Sequence, residues 1–310
     1  MLYRIRHETQ YDYQGDVAHA HHLLHLVPRP APFQQCLEHD IAIEPAVFHR
    51  REEVDAFGNP MTRIEITQPH RRLTVISAME IEVHPRPTLR AADSEPWERC
   101  SAEVAYDGRW PSRDGLEARR YRHESPHVRI KQQFVDYAAD DFPPQRPLLE
   151  CADALMNRLH GDITYSPGTT SIATPTTEVL SRRRGVCQDF AHVMIACLRS
   201  RGLAARYVSG YLHNRAATAS EASPSPDAAS TKDRPPLVGH DASHAWVAVH
   251  APPFGWVELD PTNRCYVGTE HVAIGWGRDF GDVSPLRGVI IGGGRHELEV
   301  RVAVVPITPS

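Results

Sequence analysis

The 310-residue sequence has no Cys-x-x-Cys pair, no long run of Lys or Arg, and nothing approaching the ~20 uninterrupted apolar residues of a membrane span. The first absence removes the usual zinc-ribbon and redox spacings: the six cysteines are scattered, and the nearest two are Cys187 and Cys197. The second, with 34 basic against 39 acidic residues and a net charge of -5, removes the electrostatic footprint of a nucleic-acid or anionic-membrane partner, so neither is expected. The N-terminus, Met1-Leu2-Tyr3-Arg4-Ile5-Arg6-His7-Glu8, is charged and alternating and offers no apolar stretch for a signal peptide, which gives a cytoplasmic expectation with the cysteines as thiols.

What is present is ordinary in bulk: 41% hydrophobic and 24% charged residues, which exclude collagen-like, coiled-coil and wholly disordered chains. Less ordinary are 26 prolines and 19 histidines, as many His as Gly. Residues 1–90 alternate with period two, as in Ile41-Ala42-Ile43-Glu44, Arg63-Ile64-Glu65-Ile66 and Thr74-Val75-Ile76-Ser77, with Asp55-Ala56-Phe57-Gly58-Asn59-Pro60 as a turn. An antiparallel sheet or sandwich follows. Residues 91–144 read as a connector with a helical segment, 145–270 as an α+β core, and 271–310 as C-terminal strands packing on one of the sheets.

Within the core, Leu148, Leu149, Ala152, Leu155, Met156 and Leu159 form the stripe of an amphipathic helix over 147–160. A short helix should begin after Thr174 as N-cap, with Pro175 in its first position. A third helix starts at Cys187 and carries Phe190, Val193, Met194, Cys197 and Leu198 on its core face. Strands are expected at 205–212, 244–250 and 256–260. The stretch from Asn214 to Pro236 contains no Val, Ile, Leu, Met or aromatic residue and reads as disordered.

A thiol at a helix N-terminus is chemically loaded, because unpaired N–H groups and the helix dipole favour the thiolate. Gly185 and the polar pair Gln188-Asp189 make Cys187 a poor core residue, whereas Cys197 fits the core. A nucleophilic thiol needs a base, and the base an orienting partner. If Ala251-Pro252-Pro253-Phe254-Gly255 is a five-residue loop, His250 pairs with Trp256, Trp246 lies opposite Asp260, and His244 is diagonal to Asp260 on the same face. A loop one residue shorter would separate them.

These residues bring a family with them. Arg183-Arg184-Gly185-Val186-Cys187-Gln188-Asp189-Phe190-Ala191-His192, Tyr207-Val208-Ser209-Gly210-Tyr211, Asp241-Ala242-Ser243-His244-Ala245-Trp246 and Trp256-Val257-Glu258-Leu259-Asp260-Pro261-Thr262-Asn263 closely resemble the bacterial transglutaminase-like superfamily over about Leu149 to Asn263. Tyr3-Arg4-Ile5-Arg6-His7 and Asp55-Ala56-Phe57-Gly58-Asn59 are similar to the β-rich region that precedes this core in bacterial members. The resemblance implies an α+β fold in which an antiparallel β-sandwich-like domain precedes a papain-like core. It implies Cys187 as nucleophile, His244 as general base and acid, Asp260 as orienter, and Tyr165 as an oxyanion donor upstream of the helix. Gln188 and Trp246 are further oxyanion or substrate candidates, and 214–236 looks like an insertion.

The chemistry expected is acyl transfer through a thioester, on a peptide or protein substrate carrying an amide or isopeptide bond, without a cofactor. Hydrolysis is favoured over transfer to a primary amine, because no amine site is visible; a non-catalytic binding module is the remaining alternative. No metal is expected. In His19-Ala20-His21-His22-Leu23-Leu24-His25, the i, i+4 pair His21 and His25 would share a face only on a helix, and the region reads as strand.

Overall fold

A computed structural model describes residues 1–106, 113–213, 237 and 243–307. The disorder expected for 214–236 lies outside the described residues, as do Asp241 and Ala242.

Five strands come first, β1 (Leu2–Leu24), β2 (Gln34–Glu44), β3 (His49–Val54), β4 (Pro60–Ile66) and β5 (His70–Val83). Helices α1 (Trp97–Glu103), α2 (Arg113–Ala118), α3 (Gln132–Tyr137) and α4 (Leu148–Asp162) follow, then β6 (Thr164–Tyr165), α5 (Thr176–Arg182), β7 (Arg184–Gly185) and α6 (Cys187–Ser200). The chain continues through β8 (Ala205–Leu212), β9 (His244–His250), β10 (Trp256–Asp260), β11 (Cys265–Tyr266) and β12 (His271–Gly277), and finishes with β13 (Leu286–Gly292) and β14 (His296–Ile307).

The long strand β1 organises the N-terminal sheet. Its first half pairs with β5 and β14, its second half with β4 and β13, and the register shifts between Asp12 and Val17. Such a shift bends the strand, and Ile64 and Ile66 of β4 join the same buried cluster as Ile41, Leu73 and Val75 of β2 and β5. Two apolar layers thus face each other within one continuous sheet. Both C-terminal strands, β13 and β14, belong to this sheet, whereas β12 joins the other.

The second sheet runs β11-β10-β9-β8-β12, antiparallel throughout. One face packs Ala205, Tyr207, Ala245, Val247 and Val249 on the helices, chiefly α6. The other carries Val208, Trp246 and Ala248, which pack with Ala273, Trp276 and Phe57, while Tyr211, Val272 and Ile274 meet Tyr3, Ile5, Met79 and Ile81 of the N-terminal sheet. The Asp55–Asn59 turn joins the two: Asn59 accepts from the Trp276 N–H and donates Nδ2 to its carbonyl. The expected apolar stripe of α6 is buried, and so are Ala191, Ile195 and Ala196 around it, which makes α6 an enclosed central helix. Even Arg199 is buried, its guanidinium donating to the Tyr121, Ala205 and Arg278 carbonyls and the Ser125 hydroxyl.

Two local expectations are corrected. Thr174 does not cap α5: the cap position is Pro175, without a side-chain bond, and the Thr174 hydroxyl instead accepts from the Ser171 N–H at 3.0 Å. Phe134, Ala138 and Phe142, in the stretch read as a connector, pack in the main core with α4 and α6, so that part is core rather than link.

Gly210 of β8 shows how tightly the sheet is built under the site. A Cβ there would lie 2.1 Å from the Val272 carbonyl oxygen and 2.4 Å from the Trp246 ring. Gly210→Ala is therefore expected at the upper end of the ~1–3 kcal/mol that overpacking costs. An unchanged urea midpoint would show that the strands separate without cost.

Candidate active site

Cys187 opens α6 after β7, which pairs in parallel with β6 so that Tyr165 lies beside Gly185. The helix start is fixed by Asp189, whose Oδ2 accepts from the Val186 N–H at 2.8 Å and from the Thr170 hydroxyl at 2.6 Å. Asp189 is thus the cap of its own helix, and burial pushes its carboxyl up from the usual range. Gly185 must be Gly, because a Cβ would meet the Asp189 side chain at 2.7 Å. The Asp189 and Phe190 N–H groups bond the Val186 carbonyl, while those of Cys187 and Gln188 have no partner among the described residues. Two donors at a positive helix end therefore flank the thiol.

The hairpin of β9 and β10 has the five-residue register: His250 pairs with Trp256 and Val247 with Leu259. His244 Nε2 donates to Asp260 Oδ2 at 2.8 Å, both side chains being fully buried. Cys187 meets this pair from the strand's end, its Sγ 4.0 Å from the carbonyl of Ser243, the residue before His244. His244 Nδ1 has no hydrogen-bond partner among the described residues and is the ring nitrogen left for the Cys187 side. Burial alone would lower the proton affinity of His244, but the Asp260 charge, the nearby Cys187 sulfur and the bond to Asp260 outweigh it and raise the pKa to about 10. For Asp260, burial acts upward and is likewise outweighed, by His244 and His271, which hold the carboxyl far below its ordinary range.

Asp260 is the hub. Oδ1 accepts from the Thr262 and Asn263 N–H groups at 3.0 and 3.2 Å; Oδ2 accepts from Asn263 Nδ2 at 2.7 Å and from His271 Nε2 at 3.2 Å in addition to His244. Asn263 thus serves the carboxylate with both its N–H and its side-chain amide. His271, at the start of β12, was not singled out by the sequence. One signal was available: like His244, it is a His immediately ahead of an apolar strand. The ligand atoms of His244, Asp260 and His271 converge closely enough to hold a metal ion. With three donors already on Oδ2, however, the arrangement is a satisfied hydrogen-bond network.

The remaining candidates separate. Trp246 is a correction: it is fully buried, packs edge-on against His271, and donates Nε1 to Glu258 at 3.0 Å, so it supports the sheet behind the site and lines no groove. Gln188 is half-buried beside Cys187, and its amide has no partner among the described residues. Tyr165 is half-buried against the main core next to Gly185.

Residues 3–82 match the family model of the bacterial transglutaminase-like N-terminal region, and residues 136–261 that of the transglutaminase-like superfamily. An uncharacterized protein of Mycobacterium tuberculosis is 38% identical over 98% of this chain and 92% of its own length. One from Mycobacterium leprae is 30% identical over 97% of each chain. A crystal structure of a candidate cysteine protease from Cytophaga hutchinsonii superposes with a TM-score of 0.71 at 17% identity, covering 100% of this chain and 92% of that one. At that identity the likeness is one of fold.

Proposed function

The chain belongs to the transglutaminase-like superfamily, and on that premise we propose that it is a thiol-dependent hydrolase of an amide, peptide or isopeptide bond in a peptide or protein substrate. The observation that carries this reading is the buried His244–Asp260 pair with Nδ1 left unpartnered at the end of the strand where the Cys187 thiol sits.

In the proposed reaction the Cys187 thiolate, paired with the His244 imidazolium, adds to the amide carbonyl carbon. The oxyanion is received by the unpartnered Cys187 and Gln188 N–H groups. Nδ1–H of His244 protonates the departing nitrogen, the C–N bond breaks, and a thioester on Cys187 remains. Neutral His244 then takes a proton from water as it attacks the thioester, releasing the acid and restoring the thiolate-imidazolium pair. Asp260 holds Nε2–H throughout and so keeps Nδ1 aimed at the sulfur. Transfer to a primary amine is the same sequence with the amine replacing water. We favour water because it needs no second binding site. No helix among the described residues is long and apolar enough to cross a membrane, and we place the reaction in the cytoplasm.

The test is a library of blocked peptides incubated with and without a primary amine and read by mass spectrometry. Free carboxylic acid products in both arms, absent with Cys187→Ala, are expected. Cleavage that persists in Cys187→Ala would overturn the thiol mechanism, and predominant amide exchange would assign the transamidase alternative.

A further inference from the structure

The histidine run that looked uninformative under helical spacing is rearranged by the strand. His25 is buried, facing Ser284 and Asp55, and takes no part with His21. His19 and His21, two apart on β1, instead point outward together, and Glu65 of β4 stands opposite His21. Their ligand atoms converge: His19 Nε2 to His21 Nε2 is 2.8 Å, His19 Nε2 to Glu65 Oε1 3.2 Å, and His21 Nε2 to Glu65 Oε1 4.0 Å. A tetrahedral zinc ion with N and O ligands at about 2.1 Å spaces them ~3.4 Å apart. The three separations bracket that edge.

We propose that His19, His21 and Glu65 form a site for a divalent transition-metal ion of the zinc class. Two imidazoles and a carboxylate suit such an ion and match no Ca2+ or Mg2+ site, which would be built from oxygens. The atoms of His19, His21 and Glu65 already converge, and the fourth position falls to His49 once its ring turns towards them. It pairs with Glu65 from the far side of β4, on the same face, is exposed, and has no partner among the described residues. Directly opposed residues have Cβ atoms ~5 Å apart, within reach of an imidazole. On the other flank, exposed Val289 and Ile291 of β13 stand opposite His21 and His19 and provide an apolar rim that limits water at the ion. In the next cross-strand row, Arg51 and Arg63 are both paired with Glu53, and Arg287 donates to the Gly281 carbonyl. Binding would tie β1, β4 and β3 together across the outside of the N-terminal sheet, at a place independent of Cys187.

The full-length protein, stripped with EDTA, is titrated with ZnCl2 by calorimetry and melted with and without Zn2+. One equivalent and a higher Tm are expected in the wild type and equally in Cys187→Ala. The double variant His19→Ala/His21→Ala should weaken binding at least ~100-fold, beyond the ~10–100-fold lost with an outer-shell partner, while its Tm in EDTA stays that of wild type, since both side chains are on the surface. Glu65→Gln supplies the same test should the double variant not fold. His49→Ala is expected to bind about 10-fold more weakly; unchanged affinity would overturn the role given to His49. Wild-type affinity in the double variant and in Glu65→Gln, or loss of binding in Cys187→Ala, would overturn the site.

Discussion

Cys187→Ala and His244→Ala are each expected to lower amide turnover by at least ~10^4-fold, and the double variant to be no worse than either, because groups that act as one unit are non-additive. The proposed reaction uses sulfur and imidazole in the same step: without His244 the thiol would have no proton acceptor, and without Cys187 the imidazole would have no nucleophile to serve. A second readout requires no substrate. At pH 5, where ordinary thiols are protonated and slow, iodoacetamide should add once, to Cys187. Burial pushes Cys100 and Cys151 up to about 12, raises Cys197 further and raises Cys36 as well. His244→Ala should abolish the pH 5 adduct while leaving slow labelling of exposed Cys36 at alkaline pH. Equal labelling of several cysteines at pH 5 in the wild type would overturn the thiolate-imidazolium pair.

The parts of the site that local sequence encodes are those fixed by a helix start and a short hairpin. The position of Cys187 follows from a periodic apolar stripe with Gly185 before it, and the meeting of His244 with Asp260 follows from counting five residues between two strands. Register across a short loop is a local property. His271 lies beyond that reach: it arrives on β12, which pairs not with β10 but with β8, and no periodicity states which strand a later one will join. The same limit explains Trp246, which alternates with the site residues in sequence yet lies fully buried in the sheet, against the flat spot left by Gly210 on the neighbouring strand. It also explains the histidines of β1. The strand assignment correctly removed the i, i+4 pair, but the partner that gives His19 and His21 a common target, Glu65, comes from a strand more than 40 residues away.

Asp260→Ala should destabilise the protein by about 3–5 kcal/mol, the range for removing one partner of a buried ion pair. The cost comes from what is left behind: His244, His271, Asn263 and two backbone N–H groups lose their acceptor in a place water does not enter. Asp260→Asn separates charge from shape. It keeps an oxygen for the Thr262 and Asn263 N–H groups, so it should be the milder variant in urea, yet it removes the charge that sustains the imidazolium, and turnover should fall by ~10^4-fold as imidazole orientation is lost. The pH dependence follows from the two shifts, which describe one interaction and are counted once. His244 is raised from 6.5 to about 10, so its contribution is complete below pH 6.5 and is lost as pH rises towards 10. Asp260 is lowered from 3.8, so its contribution is present above that value and is lost only as pH falls well below it. The pair therefore stabilises the fold fully between about pH 4 and 6.5, and the wild-type excess over Asp260→Asn should shrink from pH 7 to 10. Because part of the rise at His244 comes from the Cys187 sulfur, Cys187→Ala should shift the titration of the His244 ring, followed by NMR, to lower pH. A wild-type advantage that stays flat across pH 7 to 10, or a His244 titration indifferent to both neighbours, would show that the three groups are adjacent without being coupled.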